Sequence, residues 1–281
     1  MNLIYKALEL SQATSSARIA GKFIGYVPTM GALHEGHLSL MRLCRKQNDI
    51  AIASIFVNPT QFNDRNDLRN YPRMPEKDIE MLGREGCDIV FLPEEKEIYP
   101  EPDNRQFDFG GLENYMEGSH RPGHFNGVAQ VVTRMFDIIM PHRAYFGLKD
   151  FQQLAIVRRF VSDLHYPVEI VPCPIVREPD GLAMSSRNMR LNTDQRAHAV
   201  LISQTLFRAK GTAGVKSVEE IRDFVIRRIN ADPFLETEYF EIVNSTTLVP
   251  VGSWDESGEK IGCIAVKVGQ IRLIDNVVFS S

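Results

Sequence analysis

Apolar residues alternate along the first half of the chain between short dense runs and stretches with helical spacing. Residues 23–31 (FIGYVPTMG) form a compact apolar run closed by proline and glycine, the pattern of a buried strand. Residues 37–47 (HLSLMRLCRKQ) place Leu38, Met41 and Leu43 at helical spacing, and residues 49–59 (DIAIASIFVNP) form a nearly continuous β-branched run suited to a parallel strand buried on both faces. A helix over 75–86 follows, with Pro75 near its start and Gly86 at its end. The pattern then predicts strands over 87–93, 143–147 and 168–178, and helices over 125–140 and 150–164. Residues 94–120 lack a clear period and read as loop-rich.

Strands alternating with helices predict an α/β fold built on a parallel sheet, with right-handed crossovers placing helices on both faces. Near Arg177 the pattern changes. Two amphipathic helices, over 193–210 and 217–230, precede three strand-like runs over 236–245, 260–269 and 270–279, the last two joined tightly through Gly269 and Gln270. The expected architecture is a Rossmann-like parallel-sheet domain over 1–175 and a smaller α+β domain over 176–281.

The net charge of −4 and the scattered Lys and Arg offer no basic field to nucleic acid. No apolar run reaches membrane-spanning length, and the N-terminal MNLIYKALEL meets polar residues too soon for a signal peptide. Cys44, Cys87, Cys173 and Cys263 stand far apart with no C-x-x-C, which fits a reducing, cytoplasmic setting and encodes no local metal or redox pair.

The densest candidate chemistry lies just after the first long apolar run, where MGALHEGHLSL (residues 30–40) sets His34 and His37 among glycines. Zinc-binding helices carry histidines at i, i+4; these are at i, i+3, and Gly36 weakens a helix through both. No metal site is expected. A polar loop with incidental histidines stays open for so short a pattern. The alternative is an anion site: a strand, a glycine turn and a helix start turn backbone N–H groups and the helix dipole toward a phosphate, and imidazole donors add to it. Neither G-x-x-x-x-G-K-[ST] nor G-x-G-x-x-G is present. Other polar residues fall at predicted strand ends: Asn58 and Gln61 in VNPTQF, and Lys149, Asp150 and Gln153 in FGLKDFQQL. Each has a plain reading, as a strand-end hydrogen-bonder, a solvated lysine, a helix cap or a capping partner. The AMSSRN stretch (183–188) reads equally as a polar interdomain loop.

The H-x-G-H string resembles the signature of the nucleotidyltransferase superfamily, which includes class I aminoacyl-tRNA synthetases. The wider YVPTMGALHEGHLSL, with SIFVNPTQF, RPGHFNGVAQVV, YFGLKDFQQL and REPDGLAMSSRNMRL, closely resembles the pantoate–β-alanine ligase family. One departure is Leu148, where that family commonly has Glu or Gln.

The resemblance implies a specific reaction. The carboxylate of (R)-pantoate attacks the α-phosphorus of ATP, pyrophosphate leaves, and the β-alanine amine displaces AMP from pantoyl adenylate to give pantothenate. It implies ATP contacts from Met30, Gly31, Ala32, Leu33, His34, Glu35, Gly36 and His37, from Gly147, Leu148, Lys149 and Asp150, from Val176 at the adenine, and from Met184, Ser185, Ser186 and Arg187 at the phosphates. His37, His34 and Lys149 are the implied catalytic residues; Gln61 and Gln153, with Arg121 and Asn58, are the implied pantoate contacts. Mg²⁺ accompanies ATP, and a homodimer is implied. Three rivals share parts of the pattern: a nucleotidyltransferase acting on a phosphate ester, a synthetase-like RNA binder, and a silent nucleotide-binding module.

Overall fold

In the computed structural model, which describes residues 1–279, the alternating runs of the first half resolve into a parallel sheet. Its strands are β1 (Asn2–Ile4), β2 (Ile24–Thr29), β3 (Ile50–Ile55), β4 (Ile89–Phe91), β5 (Arg143–Gly147) and β6 (Glu169–Cys173), in spatial order β1-β4-β3-β2-β5-β6. Every pairing is parallel. The helices are α1 (Ala7–Ile19), α2 (Glu35–Gln47), α3 (Arg65–Asn70), α4 (Pro75–Arg84), α5 (Glu95–Ile98), α6 (Met116–His120), α7 (His124–Ile139) and α8 (Phe151–Asp163).

The order explains the layers. From β2 the chain steps through β3 to β4 in one direction, and right-handed crossovers keep α2 and α4 on one face. The returns from β1 to β2 and from β4 to β5 run the opposite way, which puts α1 and α7 on the other face. In agreement, α2 packs on α4 and α1 packs on α7. The central strands are covered on both sides: Val27 and Ala53 on one face and Tyr26 and Ile52 on the other are all fully buried. The stepping direction reverses between β2 and β5, and in such sheets ligands bind beyond the carboxyl ends at that switch. Those ends are Thr29, which runs into the histidine turn, and Gly147.

Two elements have no strong signature in the sequence. β1 has only three residues, and α1 buries only Leu10, Thr14 and Ala17, so its apolar stripe is thin. The strand expected over 168–178 ends at Cys173, because Pro172 and Pro174 remove the donors it would need. Beyond it, Arg177 pairs with Ala183 in an antiparallel bridge.

The second sheet is antiparallel, in order β7 (Leu235–Asn244), β8 (Lys260–Val268), β9 (Ile271–Phe279). Val268 faces Ile271 across a two-residue turn whose first position, Gly269, has φ +60°, the arrangement of a type II′ hairpin. Helices α9 (Thr193–Lys210) and α10 (Val218–Asn230) both open with capping boxes, Asn192 with Gln195 and Ser217 with Glu220. They bury Leu206, Ile221 and Val225 against Phe240, Ile264 and Val266. A separate apolar cluster joins Tyr239, Val243 and Cys263 to Met116, with Phe151 and Ala155 at its margin.

That cluster shows why the chain does not divide at one point. The first compact unit comprises Met1–Phe109, Arg121–Leu148 and Ile156–Pro174; the second takes Gly110–His120, Lys149–Ala155 and the chain from Ile175. The sequence predicts a single boundary near 176, whereas the two inserted segments follow their apolar residues into the second core.

Candidate functional site

In the first unit, the turn after β2 carries both histidines. His34 caps α2: its Nδ1 accepts from the Gly36 N–H (3.2 Å), while His37 Nδ1 accepts from the His34 N–H (3.3 Å). The rings lie 4.1 Å apart between centroids. An Nδ1 that accepts carries no proton, so each neutral imidazole bears its hydrogen on Nε2 and donates from there. Glu35 and Gly36 form the first turn of α2, and Glu35 pairs with Arg42.

The turn's amides are engaged differently from the expected phosphate cradle. Gly31 N–H donates to Thr29 Oγ1 (3.2 Å), and Ala32 and Leu33 N–H donate to the carboxylate of Asp78 (2.8 and 2.7 Å). The anion these amides hold is a side chain of the protein.

Beside the turn, Gln61 Nε2 lies 3.1 Å from Met30 Sδ. Gln61 sits at the end of the 3-10 turn Pro59–Gln61, which is fastened to α7. Asn58 is 1 % exposed and fully employed: its Nδ2 donates to Gly127 O (3.1 Å) and Gln61 Oε1 (3.2 Å), and its Oδ1 accepts from the Tyr99 hydroxyl (2.9 Å). His124 Nδ1 donates to the Gln61 carbonyl (2.8 Å), and an Arg121 N–H lies 3.5 Å from the same oxygen. The approach needs a glycine in α7. A Cβ on Gly127 would stand 2.4 Å from Thr60 O and 2.8 Å from Gln61 Cα. Gly147 ends β5 and Leu148 follows it, half-buried.

The second unit holds Lys149, Asp150, Gln153, Val176, Met184, Ser185, Ser186 and Arg187. Lys149 has a side chain 19 % exposed, with Nζ 3.7 Å from Asp150 Oδ1, and its carbonyl accepts from Asn276 Nδ2 (2.9 Å). Gln153 is half-buried in the first turn of α8. Val176 O accepts from Met184 N–H (3.0 Å), which closes a short hairpin. Next in the chain, Ser185 Oγ accepts from Arg187 N–H (3.2 Å) and caps the 3-10 turn Ser186–Arg190. The hairpin is registered to β9 by Arg177, whose guanidinium makes paired bonds to Asp275 (2.7 and 2.9 Å) beside the Phe207 ring. Adjacent residues of β9, Asp275 and Asn276, thus fix the hairpin and the Lys149 segment together.

Several of these residues carry no signal in the sequence. Asp78, Asp275 and Asn276 act across distances along the chain that no local pattern reveals. Gln152 is another: it accepts from Glu117 N–H (2.9 Å) and donates to Leu112 and Tyr115 carbonyls. Glu117 in turn makes paired bonds to Arg272 and accepts from the Tyr239 hydroxyl. Gly127 did carry a signal, an isolated glycine inside a helical pattern.

The thiols are not poised for attack. All four are buried, and burial pushes Cys87 up to about 12 and Cys173 up to about 11. Among the described residues, no three His, Cys, Asp or Glu side chains gather to hold a metal ion. No helix among them is long and apolar enough to cross a membrane.

Comparison with known proteins converges on one family. The model of the pantoate-beta-alanine ligase family matches residues 2–278. The pantothenate synthetase of Bacteroides fragilis is 50 % identical over 279 residues, covering 99 % of both chains, and that of Acetivibrio thermocellus is 44 % identical over 281 residues at the same coverage. The crystal structure of pantothenate synthetase from Thermus thermophilus superposes with a TM-score of 0.93 at 40 % identity over all of both chains. The pantoate-beta-alanine ligase of Francisella tularensis, solved in complex with beta-gamma ATP and beta-alanine, gives 0.84 at 33 % identity, covering 99 % of this chain and 97 % of that one.

Proposed function

The chain belongs to the pantoate–β-alanine ligase family, and from that premise we propose which of its residues serve each step. The enzyme condenses pantoate with β-alanine to pantothenate through a pantoyl adenylate, consuming ATP and releasing AMP and pyrophosphate.

In the first step a pantoate carboxylate oxygen bonds to the α-phosphorus as the bond to the bridging oxygen of pyrophosphate breaks. His34 and His37 donate from Nε2 to phosphate oxygens as charge grows there; Lys149 and Arg187 add fixed cations, Arg187 as a planar fork matched to phosphate. Ser185 and Ser186 bind the phosphates, and Val176 and Met184 bound the adenine side. Met30, Gly31, Ala32, Leu33, Glu35, Gly36, Gly147, Leu148 and Asp150 form the rest of the nucleotide site. In the second step the amine nitrogen bonds to the acyl carbon, the bond to the AMP oxygen breaks, and the amine loses a proton. No thiol or hydroxyl nucleophile takes part. Holding carboxylate and phosphate in line supplies the remainder, a contribution that reaches about 7–11 kcal/mol in well-oriented systems.

Gln61 and Gln153, with Arg121, bind pantoate. Asn58 works through Gln61: its bond to Oε1 fixes the orientation of the Gln61 amide and leaves Nε2 on the Met30 side as the donor. The observation that carries the assignment is the pair of imidazoles whose Nδ1 atoms are held as acceptors by the main chain at the sheet's switch point. Mg²⁺ would accompany ATP and supply charge neutralisation at its phosphates. We assign residues 1–175, of which 110–120 and 149–155 pack into the second core, to ATP and pantoate, and 176–281 to a lid domain. The four free, buried thiols fit a cytoplasmic setting, and the family reading supports a homodimer, for which sedimentation at twice 31.9 kDa is the check.

The deciding experiment follows pyrophosphate and AMP with each substrate omitted in turn. Pyrophosphate release should need pantoate, and AMP release should need β-alanine as well. AMP formed in the absence of both would defeat the scheme, and a His37→Ala enzyme adenylating at the wild-type rate would defeat the role of that residue.

A further inference from the structure

We propose that Asp78 is a positioning residue for adenylation: a built-in counter-anion that sets the shape of the turn from which both histidines project. The proposal rests on the catalytic reading of that turn. Asp78 is 1 % exposed, and both its oxygens are used, Oδ2 by Ala32 N–H (2.8 Å) and Oδ1 by Leu33 N–H (2.7 Å). The two residues before Leu33 are both left-handed, Gly31 at φ +80° and Ala32 at φ +51°. For Ala32, which has a Cβ, that shape is uphill and needs an outside hold. The N–H groups of Ala32 and Leu33 converge on one carboxylate, as successive backbone N–H groups in turns elsewhere converge on a bound anion. Here the anion comes from within. A Cβ on Gly31 would stand 2.9 Å from Asp78 Oδ2 and 3.0 Å from Ile55 Cγ2, so glycine is what lets the carboxylate approach. After Leu33, His34 caps α2; its N–H sets the tautomer of the His37 ring, and the Gly36 N–H sets that of its own.

The Ala32 and Leu33 amides are thereby engaged by the protein's own carboxylate, which leaves the imidazoles as the side-chain donors this turn offers to nucleotide phosphate. The histidine geometry also depends on a negative charge delivered from the first turn of α4, 46 residues downstream of Ala32.

The test is chemical rescue. Asp78→Ala should lower the single-turnover rate of adenylation at least tenfold at saturating ATP. Formate should restore much of it in a saturable way; formamide, of similar size but neutral, should not. Asp78→Asn, which keeps the shape, covers the case in which the alanine variant fails to fold. It should melt as a folded protein yet lose rate, and combining it with His37→Ala should cost no more than the worse single change, because both act through one turn. Wild-type rates in either folded variant, equal rescue by formate and formamide, or full additivity in the double variant would each overturn the inference. His34→Ala and His37→Ala run alongside separate the two claims. If these are silent, the catalytic reading of the turn has failed; if they are crippled while Asp78→Asn is not, only the role of Asp78 has.

Discussion

The histidine turn of the first unit and the serine–arginine hairpin of the second are each held by one buried aspartate, yet the holds differ in kind. Asp78 accepts two backbone N–H groups, whereas Asp275 accepts two N–H groups of the Arg177 guanidinium. Backbone bonds dictate dihedral angles directly, and the turn they shape has left-handed residues that would relax without them. A guanidinium on a long arm fixes where a hairpin lies and leaves its internal shape to its own main-chain bonds, such as Met184 N–H to Val176 O. The penalties for removal differ too. Without Asp78 only neutral amides lose their partner; without Asp275 a half-buried cation does. The first hold bears mainly on chemistry and the second mainly on stability.

The largest effects should come from one phosphate-binding group of each unit, His37 in the first and Lys149 in the second. His37→Ala or Lys149→Ala should raise the adenylation barrier by about 2–4 kcal/mol, the range for one preorganised donor, read from single-turnover pyrophosphate release. If the histidine change is harmless and the lysine change is not, the two regions are unequal in catalysis. Next is Asp275→Ala, which should cost about 3 kcal/mol of stability in urea unfolding, because Arg177 keeps its charge and loses its partner. A loss below about 1 kcal/mol would mean the hairpin stands without its charge pair, and the contrast would collapse.

Gly127→Ala should cost about 1–3 kcal/mol, since the added methyl meets main chain and not a yielding side chain. Because it displaces Gln61, KM for pantoate should rise more than KM for ATP. Equal rises would show that the 3-10 turn does not discriminate between the substrates.

The smallest effect is a control on charge outside both regions. The Arg105 guanidinium beside Asp103, helped by Arg134, holds its carboxyl at about 2. The folded value is below the unfolded one, so the stabilisation is complete above about pH 4 and fades as pH falls toward about 2. With the guanidiniums partly in solvent it amounts to on the order of 1 kcal/mol. A melting temperature that Asp103→Asn leaves unchanged at about pH 6, well above both values, would remove this contribution.

Much of this was legible in the sequence because it is periodic or local. Buried strands such as β3 and the paired β8 and β9 announce themselves by apolar density and by Gly269. The H-x-G-H turn, the 58–61 segment and the 183–188 segment were legible as motifs. Their anchors were not. Nothing near Asp78 distinguishes it from a first-turn aspartate favoured by the helix dipole, and nothing in QIRLIDNVVF marks Asp275 and Asn276 as holding two remote segments. Asn58 shows the converse: a polar strand-end residue with the right chemistry, turned inward to orient its neighbour.

The insertion of 110–120 and 149–155 into the second core has an evolutionary corollary. No single crossover can exchange the second core cleanly: one placed between codons 156 and 174 would strand Met116 and Phe151 away from the apolar surface they cover. Lys149 travels with one of these segments, so the two cores can be inherited only as a set, and the lysine assigned to catalysis is guarded by the same linkage that guards the fold.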